Sequence, residues 1–219
     1  MGRVFHPVFN TLSRVAICGT FLLLGAAGVT PYVVERSPYA TNQDVTLQQP
    51  VPFSHKHHAR ELGIDCRYCH TSVTQSAFAG IPPTKTCMTC HSQIWTNADL
   101  LEPVRRSWET GIGISWQRVN ALPRYVYFDH SIHVNKGVGC ATCHGAVQEM
   151  PLTRQAQPLT MSWCLNCHRA PENYLRPRDE VFNMEYTPPR AQLSLGRELL
   201  QTYHVRSKQA LIDCSTCHR

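Results

Sequence analysis

Five short stretches of the chain each bring together two thiols and an imidazole: Cys66, Cys69 and His70; Cys87, Cys90 and His91; Cys140, Cys143 and His144; Cys164, Cys167 and His168; and Cys214, Cys217 and His218. Thiols at Cys-x-x-Cys spacing reach the two vinyl groups of one haem, and the histidine that follows reaches its iron. Ten of the eleven cysteines are used by this pattern. Zinc sites and disulfides are the competing uses of paired cysteines, but neither requires a histidine directly after the second one. Here it follows every time. The motifs therefore predict five covalently bound haem c groups with His70, His91, His144, His168 and His218 as proximal iron ligands.

The opposite axial ligand must come from elsewhere. Phe53-Ser54-His55-Lys56-His57-His58 recurs as Phe128-Asp129-His130-Ser131-Ile132-His133, both fitting F-x-H-x-x-H at an offset of 75. The motifs that follow are offset by 74 (Cys66 to Cys140) and 77 (Cys87 to Cys164), so residues 53–91 and 128–168 are two copies of a two-site unit. Adding 74 again takes His130 to His204 and Cys140 to Cys214, a truncated third copy over 204–219. The chain stops one residue past His218, and no second motif is expected in that copy. The repeat selects His55, His58, His130, His133 and His204 as distal ligands and leaves His57, opposite Ile132, as a surface residue. A spacing of three on a helix puts His55 and His58, or His130 and His133, on one face, able to reach two neighbouring irons. Methionine is the rival distal ligand, and Met150, just after the third motif, is the alternative to one distal histidine. Met88, Met161 and Met184 read as packing.

From about residue 40 to Arg219 the chain supplies few apolar side chains for so many sites. Roughly 36 residues per haem cannot enclose each group separately, so haems must form most of the core. Fifteen prolines and few aromatics fit a wrapper of loops and short helices with few strands. The net charge of +6 is no sign of nucleic-acid binding: there is no basic run, and the haem propionates need basic partners. Asn97 to Glu109 reads as a helix with Leu100, Leu101, Val104 and Trp108 on one side. Ile114 to Phe128 reads as extended chain broken at Pro123, Pro171 to Arg190 as a surface strap, and Gln192 to Tyr203 as another helix.

Haem is attached outside the cytoplasm, so the chain must be exported. Arg3 and Arg14 precede an uncharged run from Val15 to Val34 that Glu35 and Arg36 close. This is the length of a spanning helix and predicts an N-terminal segment, 1–36, anchoring the chain in the bacterial cytoplasmic membrane. Its flanks put the haem domain outside or in the periplasm. A cleaved signal peptide ending near Ala26-Ala27-Gly28 is the other reading. Cys18 lies within the run as a small apolar filler, and 37–52 reads as a polar linker.

The paired F-x-H-x-x-H elements with their haem motifs resemble the class III multihaem cytochromes. Together with the anchor and five motifs, the strings Tyr125-Val126-Tyr127-Phe128-Asp129-His130 and Leu159-Thr160-Met161-Ser162-Trp163-Cys164 are similar to the pentahaem subunit of bacterial alternative complex III. The resemblance implies an electron-transfer subunit with no bond chemistry of its own. Its partners would be integral-membrane quinol-binding subunits, an iron–sulfur subunit and a monohaem cytochrome c subunit. The acceptor would be periplasmic: a cytochrome c, a high-potential iron–sulfur protein or a copper protein. A stand-alone membrane-anchored quinol dehydrogenase is the nearest alternative. A multihaem oxyanion reductase is the more distant one, since its Cys-x-x-Cys-Lys motif is absent.

Overall fold

A computed structural model describes residues 6–218, and its contacts divide the chain into two units, Met1–Gln43 and Asp44–Arg219. In the first unit, α1 (Val8–Arg36) is a helix of 29 residues with none of its side chains buried. At 1.5 Å per residue it exceeds the ~30 Å hydrocarbon thickness of a bilayer, and it is apolar enough to cross one. Arg14 lies within α1, while Arg3 lies outside the described residues. The helix stops at Ser37 because Pro38 forces the residue before it into extended backbone (ψ 159°). The Ser37 hydroxyl donates to the Val34 carbonyl at 2.6 Å. Pro38 then opens a single turn, α2 (Pro38–Thr41), which ends on the left-handed Asn42.

The second unit is mainly short helices and irregular chain, as the composition implied. Among its described residues the only β pairings are isolated bridges, Thr46 with Arg154 and Val138 with Leu175. A π-helix, Lys56–Glu61, follows the first F-x-H element and leads to α3 (Cys66–Cys69) and α4 (Thr84–His91). After α5 (Glu102–Thr110), the second copy repeats this order as α6 (His130–Asn135), α7 (Cys140–His144) and α8 (Met161–Arg169). The chain closes with α9 (Gln192–Thr202), α10 (Lys208–Leu211) and α11 (Cys214–Cys217). The cysteine motifs thus lie on helical turns, opening α3, α7 and α11 and falling late in α4 and α8, several of these helices with side-chain caps. Asp65, Thr160 and Asp213 accept backbone N–H bonds from Arg67, Trp163 and Ser215.

Apolar packing is split into three small clusters: Val51 with Leu101 and Val104; Val73 with Val134 and Val181; Leu175 with Leu195 and Leu199. Several expectations shift here. The helix over 97–109 begins as a 3₁₀ turn, Asp99–Leu101, and becomes α only at Glu102, where Pro103 suits the first turn. A single 3.6-residue face does not carry across that joint, so Leu101 and Val104 are buried while Leu100 and Trp108 are exposed.

Residues 44–52, expected as linker, are bound into this unit. The Asp44 N–H donates to the Gln155 carbonyl at 2.8 Å, Arg154 pairs with Asp44, and Val51 is buried. The strap over 171–190 is not a surface feature, since Leu175 and Val181 are 2% and 0% exposed. It sinks inward because it lies over Gly137 (φ 85°), where an added Cβ would fall 2.5 Å from the Arg176 carbonyl oxygen.

Candidate haem-binding sites

The two F-x-H-x-x-H elements are built alike. In each, the residue after the phenylalanine caps the following turn. Ser54 Oγ accepts the His57 N–H at 3.1 Å, and Asp129 Oδ1 accepts the Ile132 N–H at 3.3 Å. The carbonyl of the same residue takes the Nδ1 proton of the second histidine: Ser54 from His58 at 2.8 Å and Asp129 from His133 at 2.7 Å. The phenylalanine wedges between the two rings. Phe53 stands edge-on to His55 and stacks on His58, with centroids at 5.0 and 4.5 Å; Phe128 meets His130 and His133 at 4.8 and 4.5 Å. Both histidines of each copy are thereby fixed in orientation.

Each then faces a motif histidine of its own copy. His55 lies opposite His70, and His58 opposite His91, with ring centroids 6.4 and 6.2 Å apart. His130 lies opposite His144 at 6.3 Å and His133 opposite His168 at 6.2 Å. A metal–imidazole bond is about 2 Å long, so two nitrogens on one iron stand about 4 Å apart. Adding a ring radius at each end gives centroids roughly 6 Å apart, which these pairs match.

On the motif and candidate distal histidines other than His144 and His204, the other ring nitrogen is occupied. Besides His58 and His133, Nδ1 donates to the carbonyls of Gly80 (from His70, 2.6 Å), Ile94 (His91, 3.3 Å), Ala77 (His130, 2.8 Å), Leu211 (His168, 2.9 Å) and Tyr125 (His218, 3.1 Å). His55 Nδ1 hydrogen-bonds with Thr153 Oγ1 at 2.9 Å. Such bonds fix the tautomer and leave Nε2 for a metal. Burial favours the neutral form of four of the rings: His55 is pushed down to about 4, with His70, His144 and His58 adding to the effect. Burial, then His130 and His70, bring His144 to about 4, and burial lowers His58 and His133 as well.

The motif cysteines are partly buried, apart from Cys90 and Cys214, which are exposed. Burial raises Cys140 and Cys167 to about 11 and Cys143 to about 12. Thiols of different motifs add to this. Cys69 is raised by burial and then by Cys87, and Cys140 by burial and then by Cys66. Cys143 responds to burial, Cys167 and Cys164, and Cys164 to burial and Cys217. The motifs are close neighbours, and the residues present fit haem held by two thioethers and two imidazoles.

The fifth motif differs. Among the described residues the ring beside His218 is Tyr125, at 5.8 Å, and no histidine faces it. His204, the distal candidate by repeat, is exposed and has left-handed backbone (φ 49°) just beyond α9. Its copy carries Thr202 where the others have phenylalanine and Tyr203 where they have a capping residue, so the wedge and cap that orient the other rings are missing there. Met150 is buried next to the first copy, and its carbonyl accepts the Lys56 N–H at 3.0 Å. The adjacent histidines, His55 and His58, already have partners. His57, expected at the surface, pairs with Glu61 and stacks on the exposed Trp95. Sequence reasoning assigned no role to Phe53, Phe128 or Tyr125; the phenylalanines were visible as fixed points of the repeat.

Imidazoles meeting in twos over thioether-forming motifs define a c-type haem protein. The comparisons agree. The profile for "Cytochrome c7 and related cytochrome c" matches residues 126–219, and that for the "Class III cytochrome C family" matches residues 31–106. A protein of Nitratidesulfovibrio vulgaris (strain Hildenborough), the menaquinone reductase, multiheme cytochrome c subunit, is 30% identical over 149 residues. That match covers 58% of this chain and 70% of the relative. The chain belongs to the class III and cytochrome c7-type multihaem cytochromes c, electron-transfer proteins carrying covalently bound haem.

Proposed function

We propose that this chain holds five haem c groups and serves as the electron-transfer subunit of a membrane complex of the alternative complex III type, exchanging electrons with quinone. The observation that carries the proposal is the set of four opposed histidine pairs, with ring centroids 6.2–6.4 Å apart. An iron with imidazole on both sides stores and passes electrons but offers substrate no position. Cys66, Cys69, Cys87, Cys90, Cys140, Cys143, Cys164, Cys167, Cys214 and Cys217 make the thioether bonds. His70, His91, His144, His168 and His218 are the proximal ligands, and His55, His58, His130 and His133 the distal ones. At the fifth site, where no histidine ring faces His218 among the described residues, His204 and Met150 are the candidates the sequence offers.

In this reading α1 anchors the chain in the cytoplasmic membrane with the haem-bearing unit on the outer side. Its partners there are integral-membrane quinone-binding subunits, an iron–sulfur subunit, a monohaem cytochrome and a periplasmic acceptor. The relative's name favours a second direction of flow, electrons delivered to menaquinone instead of withdrawn from quinol.

Purification in mild detergent tests both. Under the proposal the chain comes out with polytopic and iron–sulfur subunits, and added menaquinol reduces its haems within the assay's mixing time. Reoxidation of the reduced haems by menaquinone, without reduction by menaquinol, selects the reverse direction. Isolation of the chain alone, still reducible by quinol, would instead make it a stand-alone dehydrogenase. Turnover of nitrite by a high-spin haem would overturn the electron-transfer reading.

A further inference from the structure

The motifs do not lie in space in the order in which they occur along the chain. Each F-x-H-x-x-H element supplies histidines to two sites, so the first and second motifs are neighbours, as are the third and fourth. Tyr68 of the first motif also bonds directly to Thr89 of the second, hydroxyl to hydroxyl at 2.9 Å.

The two copies join through their first sites, and they do so reciprocally. His130, which serves the third motif, donates to Ala77 in the loop after the first motif, and the His130 and Ser131 N–H groups donate to Ala77 and Ser76. His55, which serves the first motif, bonds with Thr153 in the stretch after the third, next to the Lys56 N–H bond to Met150. The first and third sites are therefore back to back. The fifth motif attaches to the fourth, because the Leu211 carbonyl just ahead of Cys214 accepts the His168 Nδ1 proton. The thiol neighbours repeat this pattern: Cys69 with Cys87, Cys66 with Cys140, Cys143 with Cys164 and Cys167, Cys164 with Cys217. Among the described residues, no hydrogen bond or ring contact joins the second motif to the third, fourth or fifth.

We infer that the five sites form one unbranched line in the order second, first, third, fourth, fifth, with the Cys87 and Cys214 motifs at its ends. The inference rests on the five-haem reading above. The first haem in sequence is an interior relay, and the second is a terminus where a redox partner exchanges electrons.

Potentiometric titration of the full-length, haem-loaded chain tests the order, because neighbouring haems sense one another's charge. A haem count on the wild type comes first; fewer than five per chain would defeat the five-haem reading, not the order. Cys87→Ala with Cys90→Ala removes a terminus and shifts the midpoint of one remaining haem. Cys66→Ala with Cys69→Ala removes an interior site and shifts two. The reverse result, or equal numbers from both variants, overturns the order. If either double variant fails to accumulate, His58→Met and His55→Met keep all haems attached. Raising the potential of the second or first haem is then felt by one neighbour or by two, and equal or reversed numbers again overturn it.

Discussion

His130 donates its Nδ1 proton at 2.8 Å to the carbonyl of Ala77, 53 residues earlier in the chain. The bond holds the His130 ring parallel to that of His144, with 4° between their planes. A proposed distal ligand of the second copy is thus aimed by a loop of the first.

Replacing His130 with alanine tests the ligand role. The variant is expected to keep the wild-type haem content, because every attachment cysteine remains, while one haem becomes high-spin. Electron paramagnetic resonance of the oxidised protein reads this directly, and a wholly low-spin spectrum would show that His130 is not an iron ligand.

Phe128→Ala removes the wedge between His130 and His133. A buried phenylalanine replaced by alanine costs about 3–5 kcal/mol, and Phe128 is only partly buried, so a loss below about 3 kcal/mol is expected. Its distinctive effect is on two sites together: the midpoints of the third and fourth haems move while that of the second stays. Phe128→Leu restores most of both. Thermal unfolding and redox titration check the pair.

The candidate distal histidines were legible before any coordinates, because the repeat put His55 and His130, and His58 and His133, in matching positions upstream of matching motifs, although not which motif histidine each would face. The joint between the copies was not. It is made by backbone carbonyls such as those of Ala77 and Met150, which every residue type possesses. Burial of Leu175 and Val181 was hidden for a related reason. Prolines around them read as surface chain, while the space that admits them comes from missing side chains at Gly137 and Gly139. At the fifth site the repeat offset alone pointed to His204. The loss of phenylalanine and capping residue there was the sign that the geometry would not follow.

Gly196 packs α9 against the strap, and an added Cβ would sit 1.8 Å from the Glu172 carbonyl oxygen. Because the obstacle is backbone, Gly196→Ala must push the helix outward and loosen Leu195 and Leu199 from Leu175. A loss of about 1–3 kcal/mol is expected. At about 2–4 °C per kcal/mol for a chain of this size, calorimetry resolves it. Haem content and spin state should not change.

Lys208 donates to Glu172 at 2.7 Å and holds that carboxyl below its usual range against the opposing effect of burial. A lowered folded-state value means the pair's contribution is fully present above the ordinary carboxylate pKa of about 4.3 and fades as pH falls through the lowered one. Acidification below that range should therefore destabilise the wild type more than Glu172→Gln. Parallel midpoint-versus-pH curves for the two proteins would show that the pair does not contribute.

The exchange of braces between the copies also sets a timetable. A polypeptide is made amino terminus first, so residues 53–91 exist well before Thr153, the partner His55 needs 98 positions later. The earlier half must wait, its first iron pocket unfinished, until the later half has emerged. Truncation between residues 91 and 153 should then yield not a smaller working cytochrome but an immature one, because the halves ripen as a single piece.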